Sequence, residues 1–279
     1  MHHNCLAANY DAIWGLKKMK NNKLSIGIVA YRNYEDIKTA IRTLQAFTPE
    51  SVAKRIFIVD NSDWEEPQRV RFIEYLQSYQ DVEYIDTKAN LGFGKGHNYI
   101  LDRIDSDYHC IMNPDIVFNE DAFTPIISYL DSHPDVGMVI PRITDVDGKL
   151  QAVYRKELTV VDMFIRMFCK GLFPKRVAAH TLQYMDYSKP FQVPFGQGSF
   201  LVIRNELFRS LGGFDDEFFM YLEDADLCKR VNQKSKLMYI PDAAVIHKWR
   251  KGSHKDMRLF KIHLVSMRYY FNKWGWKWA

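Results

Sequence analysis

A regular alternation of short apolar runs and helix-period stretches through the first half most constrains what this chain can fold into. Residues 24–31 (LSIGIVAY) form an apolar run of strand length, and 35–47 follow with Ile37, Ile41 and Leu44 at helical spacing. Residues 55–60 (RIFIVD) read as a second strand and 67–79 as a second helix, with Pro67 suited to a first turn. Strands are expected again at 82–86, 108–112 and 136–140, with helices at 95–103 and 121–132 between them. Strands separated by helices imply right-handed crossovers and an α/β fold with a mostly parallel, doubly wound sheet. Such sheets bind ligands beyond the carboxyl ends of their strands. Attention therefore falls on Tyr31-Arg32, Asp60-Asn61, residues 86–90 and Asn113-Pro114-Asp115.

The second half changes character. Residues 145–148 (DVDG) read as a hairpin turn and 157–170 as a helix over an apolar surface. A glycine-rich loop at 195–199 (FGQGS) leads into a strand at 200–204, and a short helix at 205–211 ends on Gly212-Gly213. An acidic loop then enters a helix (FDDEFFMYLEDADLCKR, 214–230). Strand-like 237–240 and 244–247 precede a basic aromatic helix. With neither internal repeat nor low-complexity linker, one domain over 23–254 is expected, with an extension at 1–22 and a tail at 255–279. Met19 is an alternative start.

Composition narrows the classes. At 279 residues, with 47% hydrophobic and 14% aromatic content, the chain can bury one large core and is not disordered. Net charge is only +4, which argues against a dedicated nucleic-acid binder. Nine Lys/Arg and one Asp lie from His247 onward, a net of +8, leaving the preceding residues at −4. A basic tail on a slightly acidic body fits an anionic surface. Cys5, Cys110, Cys169 and Cys228 are far apart, form no CxxC pair, and read as reduced thiols of a cytoplasmic protein. No run approaches the roughly 18–20 apolar residues of a membrane span, since 160–173 is broken by Asp162, Arg166 and Lys170.

Three carboxylate clusters can carry chemistry. Asp60 ends a strand in VDNS, where a carboxylate can accept from a base N–H or ribose hydroxyls, or simply make a turn. Asp115 follows an apolar strand, the right oxygen ligand for a diphosphate-bound hard cation, although Asn-Pro-Asp is also an ordinary turn. Glu223, Asp224 and Asp226 follow the aromatic run 218–221. Adjacent carboxylates there push their pKa values apart, which suits one as a general base. Acidic residues also simply favour a helix N-terminus. Residues 90–98 (NLGFGKGHN) permit close backbone approach to a ligand, but they are neither a G-x-G-x-x-G fingerprint nor a P-loop.

In this order and spacing, VAYRNYEDI, FIVDNSD, NLGFGKGHNYIL, IMNPDI, FGQGSFLVIR, GGFDDEFFMYLEDADLCKR and AAVIH resemble the family 2 glycosyltransferases of GT-A fold. The resemblance covers 24–263, and within the family it is greatest to bacterial rhamnosyltransferases of O-antigen and related surface polysaccharides. It implies an inverting transfer from a nucleotide sugar, dTDP-L-rhamnose first and UDP-galactose or UDP-GlcNAc as alternatives, to a lipid-linked glycan. Tyr31 and Asp60 would hold the base, and Asn90 and Gly92 the ribose and diphosphate side. Asp115 would stand at the metal position of the D-x-D motif, with His247 reaching the metal or diphosphate and Mg²⁺ or Mn²⁺ as cofactor. Gly196 and Ser199 would border the donor sugar, with Asp226 at the donor and acceptor pocket. Asp224, beside Glu223, would be the catalytic base. Asn113 departs from the motif's first Asp, so metal affinity without nucleotide should be weak.

The apolar positions Met257, Phe260, Leu264, Met267 and Phe271, flanked by Arg258, Lys261 and Arg268 and followed by Trp274, Trp276 and Trp278, suit an anionic bilayer interface. Peripheral attachment to the inner face of a bacterial plasma membrane is the expected location. Packing of this helix on the body is the competing reading. A dinucleotide oxidoreductase would need glycines after the first strand, where Tyr31-Arg32-Asn33 stand. A nucleic-acid binder would leave the three carboxylate clusters without a role, and no nucleic-acid partner is expected.

Overall fold

A computed structural model of the chain describes residues 22–63, 67–169, 171–248 and 257–279. The expected extension therefore lies almost wholly outside the described residues, as do Cys5 and Lys170. Strands β1 (Asn22–Ala30), β2 (Lys54–Asp60), β3 (Val82–Asp86) and β4 (Ser106–Met112) pair in parallel in the order β3-β2-β1-β4. Helices α1 (Tyr34–Phe47), α2 (Gln68–Leu76) and α3 (Phe93–Asn98) connect them. The periodicity of α1 is realised directly: Ile37, Ala40, Ile41 and Leu44 are all fully buried. Burying each branched side chain there contributes about 1.5–3 kcal/mol.

Beyond β4 come β5 (Ile116–Val117), α4 (Phe123–Ser132) and β6 (Val136–Thr144). The small strands β7 (Tyr154–Arg155), β8 (Phe191–Gln192) and β9 (Phe195–Gly196) follow, with α5 (Val160–Phe164) and α6 (Pro174–His180) between β7 and β8. The chain closes with β10 (Phe200–Arg204), α7 (Asn205–Ser210), α8 (Glu223–Lys234), β11 (Lys236–His247) and α9 (Met257–Trp274). The sheet continues β4-β10-β6-β11-β5, with β8 on β11. β10 enters antiparallel to both neighbours, while β11 runs parallel to β6, so the sheet stays mostly parallel.

Several boundaries differ from the sequence reading. The helix expected at 95–103 stops at Asn98 and resumes as a 3₁₀ turn at Leu101–Arg103. The helix expected at 157–170 begins at Val160, capped by the Thr159 side chain, and becomes a π turn at Ile165–Cys169. The two expected final strands are one strand with an irregularity between Ile240 and Ala244. The DVDG turn is present, closed by Asp145 N–H donating to Lys149 O at 2.9 Å with Gly148 at φ 76°. Among the described residues, no helix is long and apolar enough to cross a membrane.

α9 packs on the body. Tyr270 and Phe271 are buried, Ser266 Oγ donates to Met220 O at 2.7 Å, and Tyr269 donates to Asp215 at 2.9 Å. The expected bilayer stripe therefore divides: Phe271 enters the core, while Met257 and Leu264 stay exposed.

Candidate active site

Register sets the site. Ala30, Asp60 and Asp86 are aligned partners on β1, β2 and β3, so the loops that follow them share one edge. Tyr31 lies there 42% exposed, with the Arg32 guanidinium 5.3 Å over its ring. Asp60 is different. Its carboxylate is fully buried and accepts from Tyr34 Oη at 2.8 Å, Tyr84 Oη at 2.7 Å and Ser62 N–H at 2.9 Å. Direct hydrogen bonding to a nucleobase, expected from its position, does not fit this arrangement. Asp60 is an anchor beneath the edge, and the two tyrosines that hold it were missed in the sequence.

The glycines of NLGFGKGHN answer to packing. Gly92 has φ 80°, and a Cβ there would stand 1.9 Å from Phe219 O. Phe93 N–H donates to that same carbonyl at 3.2 Å, and Asn61 Nδ2 donates to Gly92 O at 2.8 Å. Asn90 is exposed, its side chain accepting from Gly92 N–H at 3.1 Å. This loop thus fastens the edge after β1 to β3 to the aromatic run ahead of Glu223.

Short antiparallel pairing of β5 with β11 sets His247 opposite Ile116, beside Asp115. His247 Nε2 lies 3.3 Å from Asp115 Oδ1. Gln151 Nε2 donates to His247 O at 2.7 Å, which leaves Gln151 Oε1, 3.0 Å from His247 Nδ1, to accept the ring N–H. The ring thus presents Nε2 to the Asp115 carboxylate. An imidazole and a carboxylate side by side, with a carboxamide fixing the ring, fit a divalent metal completed by phosphate oxygens. Among the described residues no cluster of three ligating side chains exists, so protein ligands alone would leave such a site incomplete.

The FGQGS loop joins this pair to the acidic helix. Asn113 N–H donates to Ser199 O at 2.8 Å, and Gly198 N–H donates to Asp224 Oδ2 at 2.9 Å. Gly198 is needed there, because a Cβ would press on Asp224 Cβ at 3.0 Å. Gly196 lies in β9 against Ile140, and Ser199 is buried with a hydroxyl that has no hydrogen-bond partner. Asp224 Oδ1 also accepts from Ala225 N–H at 2.8 Å. Burial raises the Asp224 carboxyl above its ordinary range, opposed by the Gly198 N–H and the charges of Arg155 and Arg166. Glu223 is pushed up to about 8 by burial and then by Asp224, and its Oε2 has no hydrogen-bond partner. Of the two, Asp224 is the one whose negative charge is supported, by the Gly198 N–H and the neighbouring arginines.

Asp226 is not brought to this pocket. It is fully buried and turned to the C-terminal helix, accepting from Trp274 Nε1 at 2.9 Å, with Lys273 Nζ at 2.6 Å and Arg230 Nε at 2.7 Å. Two residues along α8 rotates the side chain by about 200° at 3.6 residues per turn, which separates neighbouring acids onto different faces. Ahead of them, Tyr221 and Leu222 both adopt positive φ, 70° and 67°. Non-glycine residues held there cost about 1–3 kcal/mol each and recur at functional sites.

A family model described as glycosyl transferase family 2 matches residues 25–212, which takes in the edge after β1 to β3, Asp115 and the FGQGS loop. The chain belongs to glycosyl transferase family 2. The rhamnosyltransferase WbbL of Escherichia coli K12 is 27% identical to the transferase over 252 residues, covering 86% of this chain and 89% of that one. The N-acetylglucosaminyl-diphospho-decaprenol L-rhamnosyltransferase of Mycobacterium tuberculosis is 26% identical over 195 residues, covering 65% of this chain and 63% of that one. The aligned stretch thus spans less than two thirds of the mycobacterial relative. A crystal structure of GalNAc-T7 with UDP, GalNAc and Mn²⁺ superposes with a TM-score of 0.64 at 16% identity, covering 82% of this chain and 44% of that one. That likeness establishes the GT-A fold.

Proposed function

We propose that the transferase moves a sugar, L-rhamnose from dTDP-L-rhamnose as the leading donor, onto a lipid-linked glycan with inversion. The observation that carries this reading is the FGQGS loop, hydrogen-bonded at one end to the Asn113-Pro114-Asp115 turn and at the other to Asp224. The two rhamnosyltransferase relatives support the donor, and the mycobacterial enzyme's diphospho-decaprenol substrate supports the acceptor class.

In this reading Tyr31 stacks on the base, Asp60 fixes the edge beneath it, and Asn90 and Gly92 border the ribose. Asp115 and His247 hold Mg²⁺ or Mn²⁺, which when bound supplies positive charge beside the departing diphosphate. Asp224 removes the acceptor hydroxyl's proton as that oxygen attacks the anomeric carbon opposite the leaving group. A single displacement inverts the centre without a covalent enzyme intermediate. Glu223, neutral, leaves Asp224 as the ionised member. The exposed tryptophans of the tail rest on the inner membrane surface. Transfer assays with dTDP-L-rhamnose, UDP-galactose and UDP-GlcNAc, each with Mn²⁺ and a prenyl-diphosphate-linked sugar, test this. Turnover confined to a UDP-sugar would replace the donor, and turnover with none would remove the reading.

A further inference from the structure

Two half-buried arginines within electrostatic reach of Asp224 have fewer partners than their charge calls for. Arg155, on β7, donates from Nη2 to Gln197 Oε1 at 2.9 Å and lies 5.3 Å over the Phe195 ring, but its Nε is sealed from solvent with no hydrogen bond. Arg166, on the π turn after α5, forms no ion pair among the described residues, and Asp224 and Asp162 are the acids within electrostatic reach. Asp162 is already engaged by Arg176 Nε at 2.7 Å and Thr159 Oγ1 at 2.6 Å. His180 adds no compensating charge; burial pushes it down to about 4, so it stays neutral. Burial, and then repulsion from Arg166, push Arg155 down to about 9, with only Asp224 opposing.

The segment bearing Arg166 also exposes apolar side chains: Phe164, Phe168, Leu172 and Phe173 are 53%, 58%, 77% and 48% exposed, and the first two meet in a ledge. Phe168 meets Phe164 at 5.1 Å and Phe260 of α9 at 6.1 Å, so the ledge runs onto the C-terminal helix. A planar guanidinium fork suits phosphate oxygens, and exposed aromatics suit an isoprenoid chain.

We propose that Arg155 and Arg166 take the phosphates of a polyprenyl-diphosphate-linked acceptor, whose isoprenoid chain lies along Phe164, Phe168, Leu172 and Phe173. The inference rests on the transferase reading with Asp224 as base. A sugar hydroxyl at Asp224 then belongs to a ring whose own diphosphate reaches the arginines and whose lipid leaves over the ledge. This places the acceptor's charge apart from the donor diphosphate at Asp115.

Farnesyl diphosphate in EDTA is the probe, since chelation removes metal-dependent binding at Asp115, and dTDP with Mn²⁺ is measured in parallel. The parent should bind farnesyl diphosphate at least about tenfold more tightly than inorganic diphosphate or farnesol. Arg166→Gln should weaken it about tenfold or more, and Phe164→Ser with Phe168→Ser should weaken it while leaving inorganic diphosphate unchanged. Both variants should keep parental dTDP affinity, which also certifies their folding. The proposal is overturned if Arg166→Gln loses dTDP instead, if inorganic diphosphate binds as well as farnesyl diphosphate, or if neither variant changes binding. A parent that binds farnesyl diphosphate but no nucleotide would sink the donor reading and leave this subsite standing.

Discussion

Gly198 N–H donates to Asp224 Oδ2 at 2.9 Å, so the loop that joins the metal-side turn to the acidic helix also aims the acid. Glu223 and Asp226 stand within two residues yet have other surroundings, and the three can be separated by experiment.

Asp224→Asn keeps the shape but cannot take a proton. Transfer should fall by about 10²- to 10⁴-fold, the usual contribution of a positioned base. Donor affinity, read by titration with dTDP and Mn²⁺, should persist. Retained turnover would remove the base from the mechanism.

Asp226→Asn should act on stability. It leaves Arg230 and Lys273 facing a neutral amide in a buried site, and disrupting a buried ion pair costs about 3–5 kcal/mol when a partner is removed. Tm should fall by roughly 10 °C, with turnover of the folded fraction near parental. A dead variant with unchanged Tm would move the catalytic assignment two residues along.

Glu223 links stability to pH. Its carboxyl rises from an ordinary 4.5 to about 8, so between those values the unfolded chain releases a proton that the folded chain keeps. Its favourable contribution is complete below about 4.5 and is lost as pH rises toward 8. Glu223→Gln should show a smaller fall in Tm from about pH 5 to 8 and should keep most activity at neutral pH. Parallel Tm curves for variant and parent would contradict a neutral Glu223.

Asp115→Asn should remove metal-enhanced nucleotide binding, and EDTA should abolish transfer by the parent. Gln151→Leu frees the His247 ring from its orienting carboxamide and should weaken Mn²⁺-dependent dTDP binding by about 10- to 100-fold. Full activity in EDTA would reject metal use.

Truncation after Asn272 would remove Lys273 and Trp274, both bonded to Asp226, and so confound membrane binding with folding. Trp276 and Trp278 are 49% and 66% exposed and are the cleaner choice. Trp276→Ser with Trp278→Ser should reduce co-sedimentation with anionic liposomes and shift Tm by less than about 2 °C. Unchanged co-sedimentation would count against attachment through the tail.

The sheet was legible because α1 and β1 to β4 announce themselves by period, and burial follows it. The pairing of Asp115 with His247 was legible only through family likeness, since it depends on a two-residue strand, Ile116–Val117, too short to carry a pattern. The burial of Asp60 and Asp226 among protein donors was not legible, for one reason. A carboxylate at a strand end or helix start looks the same in sequence whether it faces solvent or buried donors. Gly198, Gln151 and the two arginines near Asp224 act through tertiary placement, and local spacing does not reveal them.

The strained Tyr221 and its neighbour Met220 carry a thermodynamic consequence through their contacts with the tail. Tyr221 stacks on His263 at 4.8 Å, and Ser266 holds the carbonyl of Met220. These contacts couple the order of the loop preceding the acid to that of the last helix. By reciprocity, whatever tightens the tail on its surface must favour the ordered loop, and an acceptor that orders the loop must strengthen the tail's attachment by an equal free energy. Were the tail held on a bilayer, as proposed, an acceptor that ordered the loop would lengthen residence there and release of product would shorten it.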